Sequence, residues 1–313
     1  MILYIVVPCY NEEEVLFETS KRLKEKMVSL QDRNLITTES RIMFVDDGSR
    51  DKTWEIISEL VKSDEVFSGV KLSKNRGHQN ALLAGLMTAN QCADCVISMD
   101  ADLQDDVDAV DEFIEKFNQG NDVVYGVRSS RTTDTAFKRV TAQGFYKFMK
   151  MLGVDIVYNH ADYRLMSKRA LDALEQYKEV NLFLRGIVPL VGFKWDTVEY
   201  ERHERFAGKS KYPLKKMLSF AFDGITSFSI RPIRIITSLG FLIFVASLIS
   251  IIVLLILKLV GSTVQGWTTL MASIWMIGGI QLLSLGVIGE YIGKIYKEVK
   301  QRPRYVIETI EKR

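Results

Sequence analysis

Near residue 230 the chain changes character, and that break limits what it can fold into. Ile235–Leu257 carries no charge, and neither does Trp267–Ile288, whose most polar member is Gln281. Each is as long as the roughly 20 apolar residues that cross a bilayer as a helix. A short linker with Gly261 and Gly266 joins them, so the pattern predicts a helical hairpin. The alternative, two buried core helices, fits poorly with that length and lack of charge. Arg231 and Arg234 precede the hairpin, and Lys294, Lys297, Lys300, Arg302 and Arg304 follow it. The connecting turn offers only Lys258. An excess of basic residues on one side places both ends of the hairpin in the cytosol. The expected organisation is a domain over 1–212, an amphipathic helix over 213–230, the hairpin over 231–293 with spans about 235–257 and 267–288, and a basic cytosolic tail over 294–313. In the second of these, Leu214, Met217, Leu218, Ala221, Phe222 and Ile225 recur at helical spacing. Such a helix suits a bilayer interface, or alternatively a seat on the soluble domain.

Ahead of the break, short apolar runs alternate with amphipathic stretches. Ile2–Val7, Arg41–Val45, Phe67–Leu72, Cys95–Met99 and Asp122–Val127 read as strands. Glu13–Ser29, Thr53–Lys62, Gln79–Thr88 and Val107–Phe117 read as helices between them. Alternation of this kind predicts an α/β fold with a mostly parallel sheet covered on both faces. The N-terminal apolar run is short, lacks a basic lead, and meets Pro8 and the acidic Glu12–Glu14 at once. It reads as a first strand and not as a signal peptide. A net charge of +2 argues against a nucleic-acid partner, and three cysteines argue against a disulfide framework.

The strand ends carry the chemistry. The run Cys95–Met99 stops at Asp100-Ala101-Asp102-Leu103-Gln104. Ligands of open α/β sheets gather outside the carboxyl ends of strands. Two carboxylates there suit Mg²⁺ or Mn²⁺ held against a diphosphate, with phosphate oxygens completing the shell. An ordinary acidic loop is the competing reading. Strand one ends in Pro8-Cys9-Tyr10-Asn11-Glu12 and strand two in Asp46-Asp47-Gly48-Ser49-Arg50-Asp51. Tyr10 could lie against a base or ribose, and Asp46 and Asp47 could accept hydrogen bonds from a nucleoside. Taken singly, each is equally a turn with a helix cap. No G-x-G-x-x-G follows strand one and no P-loop is present, which disfavours a dinucleotide cofactor.

Taken in order, Pro8-x-Tyr10-Asn11-Glu12, Asp46-Asp47-Gly48-Ser49-x-Asp51, Asn75-x-Gly77, Asp100-x-Asp102-x-Gln104, Gly126-x-Arg128, Asp162-Tyr163-Arg164-Leu165-Met166 and Glu204-Arg205-x-x-Gly208-x-Ser210-Lys211 resemble family 2 glycosyltransferases with a GT-A fold. The resemblance is to the polyprenyl-phosphate group, which includes dolichol-phosphate mannose synthase and the GtrB-type enzymes, and it extends to the C-terminal hairpin. It implies a GT-A cytosolic domain and a membrane hairpin in the cytoplasmic membrane. It implies transfer of one sugar from a nucleotide donor, UDP-glucose or UDP-N-acetylglucosamine, to undecaprenyl phosphate with inversion, giving a β-linked product. Asp100, Asp102 and Gln104 would hold the metal. Pro8, Tyr10, Glu12, Asp46, Asp47, Asp100 and Arg128 would line the nucleotide-sugar pocket. Arg128, Arg131, Arg205, Lys209, Ser210 and Lys211 would meet the acceptor phosphate, although Arg131 could be a solvated loop charge and the last cluster could simply attract anionic lipid. Asp102 and Asp162 would be catalytic, Asp162 as the base or as a residue that orients the acceptor or Arg164. His78, His160 and His203 read as structural or surface residues. The resemblance also implies a homo-oligomer. Two other functions fit less well: a processive polysaccharide synthase, whose Gln-x-x-Arg-Trp is absent, and a non-catalytic membrane scaffold, which intact acidic motifs argue against.

Overall fold

The computed structural model describes residues 1–128, 160–180, 182–201, scattered positions between 233 and 256, and 266–313. They divide into two units, one holding the sheet and its helices, the other a long helix near the C-terminus.

The sheet begins with β1 (Leu3–Cys9), β2 (Arg41–Asp46), β3 (Phe67–Leu72) and β4 (Cys95–Ser98). These strands are almost wholly buried, which is why they read as continuous apolar runs and not as alternating ones. Helices α1 (Leu16–Asp32), α2 (Thr53–Ser63), α3 (His78–Ala89) and α4 (Val110–Asn118) connect them and cover their faces. A short 3₁₀ turn, Val107–Ala109, leads into α4. On α1, Leu16, Leu23, Met27 and Leu30 face the core, while α4 contributes Val110, Phe113 and Ile114.

Helix α3 comes unusually close to the sheet. A Cβ on Gly85 would sit 2.4 Å from Val6 Cγ1 and 2.6 Å from Val45 Cγ2. Gly85→Ala should therefore overpack this contact and destabilise the protein by about 1–3 kcal/mol. A thermal melt would show it as a lower midpoint, and an unchanged midpoint would contradict the packing.

Strands β5 (Val123–Arg128), β6 (His160–Ser167), β7 (Trp195–Tyr200) and β8 (Ile307–Lys312) complete the sheet in the order β7-β5-β6-β4-β1-β2-β3-β8. All run the same way except β6 and β8. Two short helices, α5 (Lys168–Glu175) and α6 (Leu184–Leu190), follow β6. The stretch expected as a basic tail, 294–313, carries regular structure. Residues 294–299 belong to a helix, and Ile307–Lys312 pairs antiparallel with β3 as an edge strand. Alternating exposure along β8, with Ile307 and Thr309 on one side and Glu308 and Ile310 on the other, is the pattern of an edge. Glu308 meets Lys71 at 2.9 Å and Glu311 accepts from Ser58 Oγ at 2.7 Å. Charge hid a strand that side-chain pairing across the edge makes possible.

In the second unit, α7 (Trp267–Val299) covers the predicted second span and continues beyond it. Within it, Met276–Val299 is long and apolar enough to cross a membrane. Leu282, Leu283 and Leu285 are exposed on its surface, as lipid-facing residues would be. The first predicted span has only scattered described positions, and the interfacial helix over 213–230 lies outside the described residues.

Candidate active site

The parallel strands deliver their carboxyl ends to one rim. The loops after β1 and β2 are locked together there. Asn11, with φ +52°, donates its N–H to Ser49 Oγ at 3.0 Å and accepts from Arg50 N at 2.9 Å through its side chain. Glu12 N donates to Thr53 Oγ1 at 2.9 Å. Gly48 has φ +65°, and a Cβ there would lie 2.7 Å from the Asn75 backbone nitrogen, so a side chain has no room.

Asp46 and Asp47 are both buried, and burial raises the pKa of each carboxyl. Asp46 Oδ1 accepts from Ser49 N at 3.1 Å. Asp47 accepts from Arg76 N at 2.7 Å through Oδ1 and from Gly77 N at 2.9 Å through Oδ2. The Asp47 carboxylate thus holds the loop that opens α3 and sets where His78 begins. Asp47→Ala should lose two part-buried backbone hydrogen bonds to a carboxylate and cost about 1–3 kcal/mol. Asp47→Asn, which keeps one acceptor oxygen, should cost less. Urea midpoints would rank them, and an alanine variant as stable as the parent would refute the clamp.

Beyond β4, Leu103 with φ +56° turns the chain sharply, and Asp102 Oδ1 accepts from Gln104 N at 3.2 Å. Asp100, Asp102 and Gln104 are each half-buried on one short loop. Their oxygens form a hard donor set that fits Mg²⁺ or Mn²⁺ when substrate phosphate supplies further ligands. Among the described residues no cluster of three His, Cys, Asp or Glu could hold a metal by itself.

Strand β6 runs antiparallel to β4, so its first residues fall on the same rim. Asp162 receives Arg164 Nη2 at 2.6 Å and Arg185 through two bonds, Nε to Oδ1 at 3.2 Å and Nη2 to Oδ2 at 3.0 Å. Burial opposes the Asp162 charge, but Arg185, Arg164 and His78 outweigh it and hold the carboxyl well below the usual range. His78 Nε2 lies 3.8 Å from Asp162 Oδ2 and 3.6 Å from Asp100 Oδ1. Next to this cluster, Arg128 at the end of β5 faces Tyr200 and Asp105. Tyr200 donates its hydroxyl to Asp105 Oδ1 at 2.7 Å. Burial, with the nearby charge of Asp100, pushes the Asp105 carboxyl up to about 7.

The rim therefore joins Asp47, His78, Asp100 and Asp162 through named contacts, with Asp102 and Gln104 on the Asp100 loop. Pro8 lies in β1 beside Val45, and Tyr10 and Glu12 follow that strand. Arg131, Arg205, Lys209, Ser210 and Lys211 lie outside the described residues. Two members of the cluster had no sequence signal pointing to this chemistry. Arg185 is a lone arginine in a short apolar helix. His78 shows its role only once Asp47 is seen to fix the loop before it.

Residues 4–175 match the glycosyl transferase family 2 description, and residues 231–295 match the GtrB C-terminal hairpin. The chain is 58% identical to the uncharacterized glycosyltransferase YkoT of Bacillus subtilis over 98% of this chain and 91% of that protein. It is 41% identical to the SfII prophage-derived bactoprenol glucosyl transferase of Shigella flexneri over 98% of both. It is 39% identical to the prophage bactoprenol glucosyl transferase homolog of Escherichia coli over the whole of both. Among solved structures, glucosyl-3-phosphoglycerate synthase of Mycobacterium tuberculosis is 16% identical with a TM-score of 0.45, covering 72% of this chain and 76% of that one. That likeness is too remote to carry residue roles.

Proposed function

The chain belongs to glycosyl transferase family 2, and from that premise we propose that it moves one glucosyl group from UDP-glucose to a polyprenyl phosphate at the cytosolic membrane face. The observation that carries the reading is similarity along the full length, hairpin included, to proteins named bactoprenol glucosyl transferase. The acceptor would be undecaprenyl phosphate and the product β-linked, by direct displacement with inversion.

In this reading Asp100, Asp102 and Gln104 hold Mg²⁺ or Mn²⁺. When bound, that ion neutralises the charge that grows on the departing diphosphate. Tyr10, Glu12 and Asp46 line the nucleoside side of the rim, and Asp47 acts there through the loop it holds. Arg128 faces the phosphates, where a guanidinium can bond two oxygens at once. Arg131, Arg205, Lys209, Ser210 and Lys211 draw the lipid phosphate to the site. Asp162 is a positioning group. Its carboxylate is so well stabilised as the anion that it takes up a proton poorly. A phosphate monoester has a second pKa near 6, so the acceptor is already largely ionised at neutral pH. What the site must supply is alignment and charge compensation. The hairpin and the positive-inside pattern keep this domain at the inner leaflet, where both substrates meet.

The test is incubation of the detergent-purified protein with polyprenyl phosphate, divalent metal and a panel of nucleotide sugars, with products identified by mass. A single-hexose lipid from UDP-glucose is expected. No lipid-linked product from any donor, with well-folded protein, would overturn the reading, and a long polymer would point to a synthase.

A further inference from the structure

We propose that Arg185 is a phosphate-binding residue of this site, taking an oxyanion of either the donor diphosphate or the lipid phosphate. The inference rests on the two-substrate reading above and adds a residue to it.

Arg185 is built into place. The residue before it, Leu184, is fixed at both backbone groups: its N–H donates to Gln79 Oε1 at 2.9 Å, and its carbonyl accepts from Arg164 Nη1 at 3.5 Å. Gln79 sits next to His78 on α3, and Arg164 lies on β6, so two elements of the rim hold the start of α6. The guanidinium then lies edge-on to Asp162, with Nε and Nη2 each on a different carboxylate oxygen. A flexible surface arginine has neither kind of restraint.

Charge gives the second argument. Asp162 serves both Arg164, which is 1% exposed, and Arg185, which is 33% exposed. Both guanidinium groups therefore meet at one carboxylate on the rim. Arg128 is near enough to feel the repulsion of Arg185, and it has its own partners in Tyr200 and Asp105. His78 Nε2 lies 3.8 Å from the same carboxylate. Cationic side chains gathered at the substrate rim attract an anionic group brought there. Of the two arginines on Asp162, Arg185 is the one a substrate can reach. Phosphate suits it because the guanidinium fork matches two phosphate oxygens.

The experiment uses the full chain in detergent and three variants: Arg185→Gln, Arg185→Lys and, as a surface control, Arg22→Gln. Binding of UDP and of a short-chain prenyl phosphate is measured by calorimetry without turnover, and KM for each substrate is measured in the transfer assay. Arg185→Gln should weaken one probe about 10- to 100-fold, as loss of a charge-assisted hydrogen bond does. Arg185→Lys should restore only part, since an ammonium keeps the charge and loses the fork. A change confined to UDP assigns the donor diphosphate, and one confined to the prenyl phosphate assigns the acceptor. Unchanged affinity for both probes in a folded Arg185→Gln protein overturns the proposal. So does a drop in melting temperature in both Arg185 variants with affinities preserved, which is the mark of a purely structural ion pair. If the parent binds both probes but transfers no glucose, the functional reading fails while the binding comparison still decides Arg185.

Discussion

Asp102→Asn is expected to lower glucosyl transfer by on the order of a hundred- to a thousandfold, the scale of removing one preorganised charge-stabilising group, and to leave the fold intact. The substitution keeps the shape of the loop. Asp102 Oδ1 accepts from Gln104 N, and an asparagine carbonyl can accept the same bond. Leu103 keeps its positive φ because that turn depends on the backbone and the bond. On the proposed metal role, what disappears is one negative charge from a donor set with few protein oxygens, and a hard divalent cation held by one or two carboxylates cannot spare it. Asp100→Asn removes the other carboxylate charge of the proposed set and should also disturb His78, 3.6 Å away. The measurements are transfer rate, thermal melt and Mn²⁺ binding followed by electron paramagnetic resonance. A variant that melts like the parent but binds Mn²⁺ at least tenfold more weakly supports the assignment. One that keeps most of its activity refutes it.

The parts of the fold legible in sequence are those whose residues have one job. Strands β1 to β5 are buried, so their apolar runs announced them. Strand β6 did not, because His160-Ala161-Asp162-Tyr163-Arg164 mixes site residues into a central strand. Its charges are tolerated there because Arg164 and Asp162 neutralise one another. Strand β8 was hidden for a different reason. Ile307-Glu308-Thr309-Ile310-Glu311-Lys312 alternates as an edge strand should, yet it follows a basic stretch, and charge dominated the reading. Local pattern also could not reveal that the chain returns to its first sheet after a membrane-type helix.

The site divides in the same way. Asp100, Asp102, Asp46 and Asp47 were visible because acids that close an apolar strand fall on the rim where ligands of such sheets bind. Their division of labour was not visible. That Asp47 spends both oxygens on Arg76 and Gly77 depends on a neighbouring loop thirty residues away. The aromatic group around Tyr163, with Phe113 at 4.7 Å and Tyr200 at 5.2 Å between ring centroids, buries the base of β6 and so holds Asp162 on the rim. No spacing rule brings those residues together.

Asp162→Ala should produce the largest loss of stability, about 3–5 kcal/mol, because it strands a buried cation. Arg164 is 1% exposed and cannot turn to water for compensation. Arg185, being more exposed, can. Asp162→Asn should fall between, since the amide oxygen can accept one arginine bond without the charge. The pH dependence follows from the direction of the shift. The folded carboxyl is held well below its ordinary value, so the unfolded chain binds this proton first on acidification. The contribution of Asp162 is then fully present above the unfolded value of about 3.9 and is lost as pH falls below it. Wild-type protein should lose stability more steeply than Asp162→Asn below about pH 4, and the two curves should run parallel from about pH 5 to 8. Urea midpoints across that range measure both claims. The same carboxylate predicts the kinetics: if it positions arginines and takes no proton, Asp162→Asn lowers the transfer rate without removing a limb of the pH–rate profile above about pH 5. A limb in that range that vanishes with the substitution would restore Asp162 as the base.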